Sequence, residues 1–234
     1  MSRSSDVGVV DLFAVGLWFS PRIYYRLFEL YNAAIWPLQI LALALGAAIF
    51  GLLLSGVIWR GRAIAAMLAA CWLWVGWAYL LQRYDTINWA ASYFAAGFAA
   101  EAMLMSWIGI IRDRLGFRSG ADAAGAAGRC IFLFALVVFP LIGPLAGRPW
   151  TQVEVFGVAP DPTAIATLGV LAAAHRPHWP LLVIPLIWGA ISGATLWTMQ
   201  SPDAVVVLMA AALTLVVAAW KSLARGRQAS PDET

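Results

Sequence analysis

Long apolar runs separated by short polar punctuation dominate this chain. In order they fall at about Trp36–Trp59, Ala63–Leu81, Trp89–Ile111, Arg129–Gly147, Thr163–Ala174, Trp179–Thr198 and Ala204–Trp220. A helix needs roughly 20 mainly apolar residues to cross a hydrocarbon layer about 30 Å thick. Six of the runs are close to that length. The fifth is only about a dozen residues, covering roughly 18–20 Å at about 1.5 Å per residue. The pattern predicts an all-α, polytopic transmembrane helix bundle of about seven spans, the fifth short.

The punctuation refines this outline. Trp36 and Trp59 bracket the first run as aromatic belts do, and Pro37 is tolerated in a first turn. Arg60-Gly61-Arg62 reads as a very short turn, Gln82–Asn88 as a polar loop, and Arg112–Gly128, rich in Ala and Gly, as a flexible linker. Pro140 and Pro144 predict a kink or early unwinding in the fourth span. Arg148–Asp161 is the longest loop after it. Asp161-Pro162-Thr163 then reads as an N-cap followed by proline at the first helical position. Trp36-Pro37-Leu38 returns as Trp179-Pro180-Leu181, which belt tryptophan plus first-turn proline accounts for. Ahead of the bundle, Val7–Phe19 is interrupted by Asp6 and Asp11 at its start and followed by no small-residue cleavage site. It reads as an interfacial amphipathic helix, with Leu12, Phe13, Leu17, Trp18 and Phe19 toward lipid. Three regions result: an N-terminal interfacial segment 1–35, a helix bundle 36–220, and a polar, disordered cytoplasmic tail 221–234.

Composition agrees with the pattern. The chain is 62% hydrophobic and 12% charged, with a mean hydropathy of +0.80, where a soluble domain is about half apolar and a quarter charged. Its net charge of +3 rests on arginine, with Lys221 its single lysine. No basic stripe interleaved with aromatics suggests nucleic acid as a partner. Seven crossings gather Arg60, Arg62, Arg112, Arg114, Arg118, Arg129, Arg176, Lys221, Arg225 and Arg227 on one side. Arg3, Arg22, Arg26, Arg83 and Arg148 fall on the other. The positive-inside rule then puts the C-terminus in the cytoplasm and the N-terminus outside, in a cell inner membrane.

Glu101 carries the strongest chemical signal. It sits near the middle of the third run, where ionisable groups are costly and turn toward protein or water. One reading is a proton-carrying or cation-binding carboxyl; the other is a neutral or paired carboxyl that ties two helices together. Tyr93, Gly97 and Glu101 recur every four residues, so they read as one inward face with Gly97 admitting a neighbouring backbone. Gly143 with Gly147 and Gly189 with Gly193 read as small-residue packing pairs. Asn88 and the junction Asp161–Thr163 are further substrate-facing candidates, because interrupted helices can expose backbone groups to a ligand. The candidate site residues are thus Glu101, Tyr93, Asn88, Asp161 and Thr163.

Other chemistry finds little footing. Cys71 and Cys130 have neither zinc nor redox spacing and read as small packing residues. His175 and His178 lack companion ligands, so no metal site is expected. There is no phosphate-cradling Gly-Lys loop, no His-Glu-x-x-His and no Ser elbow, so neither a cofactor nor a catalytic residue is assigned. A lipid-modifying enzyme using outer-face groups such as Asp85, Asn88, Glu154 and Asp161 would lack a nucleophile–base pair.

Three stretches resemble a known family: Tyr31-Asn32-Ala33-Ala34-Ile35-Trp36-Pro37; Asp85–Ala91 around Ile87-Asn88; and Phe139-Pro140-Leu141-Ile142-Gly143 through Gly147, Phe156-Gly157 and Pro160-x-Pro162-Thr163 to Ile184-Pro185-Leu186-Ile187-Trp188. The chain is similar in these to a bacterial multi-pass membrane family catalogued only as a domain of unknown function. The resemblance covers nearly all of it beyond the first twenty-five residues. It implies an architecture and a membrane location and no activity. Two expectations stand: transport or permeation of a small solute or ion, or a non-transporting accessory or scaffold subunit. The expected partners are the lipid bilayer, a small solute or ion, and a membrane partner subunit or a second copy of the chain.

Overall fold

A computed structural model describes residues 21–117, 123–201 and 203–228. The expected interfacial helix at Val7–Phe19 lies outside the described residues, as do residues 229–234 of the tail. The described chain is helical, in the order α1 Pro21–Ile35, α2 Leu38–Leu54, α3 Arg60–Trp74, α4 Ala91–Met105, α5 Ala123–Leu133, α6 Pro160–Ala173, α7 Trp179–Thr198 and α8 Asp203–Gln228. Three helices widen into π-helical turns, α3 over Val75–Leu81, α4 over Ser106–Ile111 and α5 over Phe134–Val138; α5 then resumes over Phe139–Leu145. Five helices are long and apolar enough to cross a membrane, or six if α1 and α2, bent by 90° at Trp36-Pro37, count as one span.

Several boundaries differ from the sequence reading, each for a local reason. Arg60-Gly61-Arg62 is the first turn of α3 rather than a free turn. Arg60 is buried and donates to the Ser55 and Phe117 carbonyls. Gly61 lets the chain at Leu115 come so close that a Cβ there would stand 2.0 Å from its carbonyl oxygen. The tract expected to be a linker becomes helix from Ala123 onward, as the high helix propensity of alanine favours. The Pro140 and Pro144 expectation fits. The ladder widens just before Pro140, and α5 ends at Leu145. Gly147, at φ +87°, then closes the helix. The Arg148 amide bonds the Gly143 carbonyl and the Gly147 amide the Pro144 carbonyl, a left-handed glycine cap. Gly143 and Gly147 therefore form no packing pair: Gly143 faces the Arg148 guanidinium and Gly147 makes the turn. The two Trp-Pro-Leu tripeptides also part company, since one marks the 90° bend and the other simply begins α7.

Every residue of the 14-residue α6 is buried. It packs against α5, α7, α8 and α3, so the shortest helix of the bundle is its axis. The tightest crossing is with α5. A Cβ on Gly128 would lie 2.3 Å from the Ala173 nitrogen, and one on Gly169 would lie 2.6 Å from the Phe132 nitrogen. Backbone meets backbone there. At the far end of α6 the Lys221 ammonium donates to the Ala172 and Ala174 carbonyls, both at 2.6 Å, satisfying acceptors that a helix C-terminus leaves open. α8 thus continues past Trp220 and uses Lys221 to clasp the axis.

Residues of α1 hold the Arg148–Ala159 loop in place. Its buried face, Tyr24, Phe28 and Tyr31, follows the helical spacing. The Tyr31 hydroxyl donates to the Val158 carbonyl at 3.0 Å, and the Asn32 amide donates to the Thr151 and Val153 carbonyls. Trp74 in turn donates to the Tyr31 hydroxyl.

Candidate functional site

Where the loop meets the start of α6, the structure gathers polar groups around a cavity of ≈ 620 Å³. Tyr24, Tyr79, Tyr84, Asn88, Trp188 and Ser192 are among its walls. Asp161 lies directly behind two of them. It is fully buried, and its carboxylate accepts Trp188 Nε1 on one oxygen and Ser192 Oγ on the other, each at 2.7 Å. Trp188 and Ser192 stand one turn apart on α7, which aims both donors at one anion. Asp161 is therefore not the N-cap expected of it. α6 begins at Pro160 after Ala159, with no side-chain cap. Thr163 fastens the loop instead. Its hydroxyl accepts the Gly157 amide at 2.9 Å and donates to the Ala159 carbonyl at 2.6 Å. Gly157, at φ +79°, supplies the backbone turn that aims its amide there.

Two further acids lie close by. Glu154 is 4% exposed, with Oε2 making no hydrogen bond. Burial pushes its carboxyl well above the usual range; the charges of Asp161 and Asp203 add to the rise, and Arg148 pulls against it. Asp203, at the start of α8, pairs with Arg148, whose guanidinium also lies 4.2 Å from the Tyr25 ring centroid. Tyr79 is buried in the cavity wall with its hydroxyl unbonded. The arrangement offers an apolar aromatic chamber, one organised carboxylate and one unengaged phenol.

Glu154 gives a pH prediction. The folded chain keeps the Glu154 proton to a higher pH than the unfolded chain, whose glutamates titrate at about 4.3. Stability therefore falls as pH rises through the gap, by about 1.4 kcal/mol per pH unit for this one group. Glu154→Gln removes that fall. In thermal melts the variant is expected to match the parent near pH 4.5 and exceed it at pH 8. Parallel pH profiles for the two proteins would refute this.

The remaining candidates separate. Asn88 lines the cavity and turns the chain, its Nδ2 donating to the Tyr84 hydroxyl and its Oδ1 accepting the Ala90 amide. Tyr93 is 70% exposed, and Gly97 has open space where a neighbour was expected. The inward face of α4 runs through Ala91, Ala95, Phe98, Ala102 and Met105. Positions four apart rotate about 40° per step at 3.6 residues per turn, so Tyr93 and Glu101 do not share a face closely. Glu101 is fully buried, with neither oxygen hydrogen-bonded, and does not line the cavity. It lies one turn beyond Phe98, whose ring packs edge-on against Trp188 at 5.1 Å. Cys71 is buried and Cys130 exposed, both free. No group of three or more His, Cys, Asp or Glu able to hold a metal ion occurs among the described residues.

The sequence reading named Glu154 only as an outer-face group of the enzyme alternative, and it missed Asp203, Tyr79 and Ser192. Only Asp203 carried a signal, as an acid opening the last apolar run. Neither a curated protein nor a solved structure matches the chain. A family model does, over residues 21–229, and it accounts for every helix described above. The chain belongs to the family of unknown function DUF6064.

Proposed function

We propose that this is a multi-pass protein of a bacterial inner membrane that admits a small solute through the cavity above Asp161. The observation that carries the reading is the cavity itself, walled by the two side chains that hold a buried carboxylate. Among the described residues no Lys or Arg lines it, so an anion would find no counter-charge. Aromatic faces backed by a carboxylate suit a compact solute that is neutral or positively charged. Glu101, behind the Phe98–Trp188 contact, is the proposed proton-holding group.

Seven crossings are part of this reading. Six come from the apolar helices, counting α1 and α2 together, and the seventh is α6. A half-length helix is tolerated at membrane depth when protein surrounds it, and every α6 residue is buried. The arginine distribution then puts the N-terminus outside, the Asp161 cavity on the outer face and the C-terminus in the cytoplasm. The 90° bend supports α1 lying along the outer interface.

The test is uptake by the purified chain in liposomes, with tetramethylammonium as the cationic probe and glycerol as the neutral one. Asp161→Asn is expected to cut cation uptake about tenfold or more, equivalent to ~1.4 kcal/mol. Glu101→Gln is expected to abolish any dependence on a pH gradient; an unchanged dependence takes Glu101 out of the mechanism. Absence of flux for both probes, with a stoichiometric partner copurifying, would replace transport by an accessory-subunit role.

A further inference from the structure

At the opposite end of α6 from Asp161 lies a second cleft, of ≈ 610 Å³, lined by Arg114, Gly116, His175, Arg176, Pro177 and His178. Its walls are two loops, one following α4 and one following α6. A single backbone bond joins them, the His175 amide donating to the Gly116 carbonyl at 2.7 Å. The cleft is therefore a built feature rather than two loops that happen to be near. Among the described residues no carboxylate lines it.

The nearby sinks for positive charge are already occupied. Asp113, next to Arg114 in sequence, pairs with Arg62 at 3.1 Å. The carbonyls ending α6, which would attract a cation, are bonded by Lys221. Among the described residues neither Arg114 nor Arg176 enters a salt bridge. Two guanidinium groups thus flank a cavity large enough for a head group, and guanidinium geometry matches phosphate oxygens. Basic clefts between helices at a membrane surface bind phosphate head groups.

We propose that this cleft is a phosphate-binding site, occupied by the head group of an anionic lipid or by a soluble phosphate. The purified full-length chain is first examined by native mass spectrometry after exchange into phosphatidylglycerol or phosphatidylcholine. It is then titrated calorimetrically with inorganic phosphate and pyrophosphate. Retention of phosphatidylglycerol over phosphatidylcholine identifies the lipid source, and saturable phosphate or pyrophosphate binding identifies the soluble one. In either case Arg114→Gln with Arg176→Gln is expected to weaken binding about thirtyfold, from about 1 kcal/mol per basic residue. Arg112→Gln with Arg129→Gln removes equal charge outside the cleft and is expected to leave binding within about twofold. Binding of neither anion overturns the proposal. So does an equal loss in both double variants, which would reduce the effect to diffuse surface charge.

Discussion

Gly128→Ala is expected to destabilise the protein by about 3 kcal/mol or more, at the upper end of what overpacking costs. The added methyl would stand 2.3 Å from the Ala173 nitrogen and 2.6 Å from the Gly169 carbonyl oxygen. These are backbone atoms in the last turn of α6, so no rotamer change relieves the contact. The only response is separation of α5 from α6, which opens the packing along the whole axis. Gly169→Ala is expected to act similarly, with Phe132 backbone atoms at 2.6 and 3.0 Å. The two substitutions force apart the same pair of helices, so the double variant should cost clearly less than the sum. Gly97→Ala is the control. Nothing stands within 4 Å of its Cβ position, and replacing a mid-helix glycine gains up to about 1 kcal/mol. Melting curves in one detergent would decide it: parent-like melting of Gly128→Ala, or a loss in Gly97→Ala equal to it, would show that the α5–α6 contact does not limit stability.

Loss of Arg148 is expected to be comparably severe. Its side chain is 16% exposed and that of Asp203 2%. Removing one member of such a pair leaves the other buried and uncompensated, at about 3–5 kcal/mol. Arg148→Met is therefore expected to destabilise more than the double variant Arg148→Met with Asp203→Leu, although the double variant removes more of the site. Arg148→Lys is not a safe substitution either. An ammonium cannot both engage Asp203 through a fork of donors and cover the Tyr25 ring, over whose centroid the guanidinium carbon stands at 4.2 Å. Because Arg148 opposes the rise at Glu154, its loss should also extend the pH dependence assigned to that residue to higher pH, at the same slope. A double-mutant cycle read by thermal melts measures the pair. Additive losses would show that Arg148 and Asp203 are not coupled.

The sequence was informative about where helices run and poor about which of them touch. Apolar length marked the long helices closely, and the prolines in α5 marked the place where its ladder widens. The brevity of Thr163–Ala174 was visible too. Its meaning was not, because helices that are apolar all round give no stripe to say which face meets which neighbour. Gly128 and Gly169 are separated by a loop and two helix ends, and although each has an alanine four residues away, Ala124 and Ala173, such spacing recurs too often in this chain to say which helices meet. Arg148 and Asp203 are 55 positions apart, so each read as a loop charge on its own. Asp161 was singled out for the right place and the wrong bond: cap chemistry is local and could be anticipated, whereas Trp188 and Ser192 reach it only through tertiary packing. Glu101 was anticipated as buried, and its carboxyl is indeed out of contact with solvent.

The enclosure of α6 has a consequence for how the chain is assembled. A segment of 14 residues fronted by Asp161 is too brief, and too polar at its leading end, for lipid to retain on its own. Its hydrogen-bond donors come from α7, and its terminal carbonyls are closed by a lysine on α8, both of which leave the ribosome later. In the membrane reading proposed above, α6 would enter the hydrocarbon only once the final helix has arrived to draw it in.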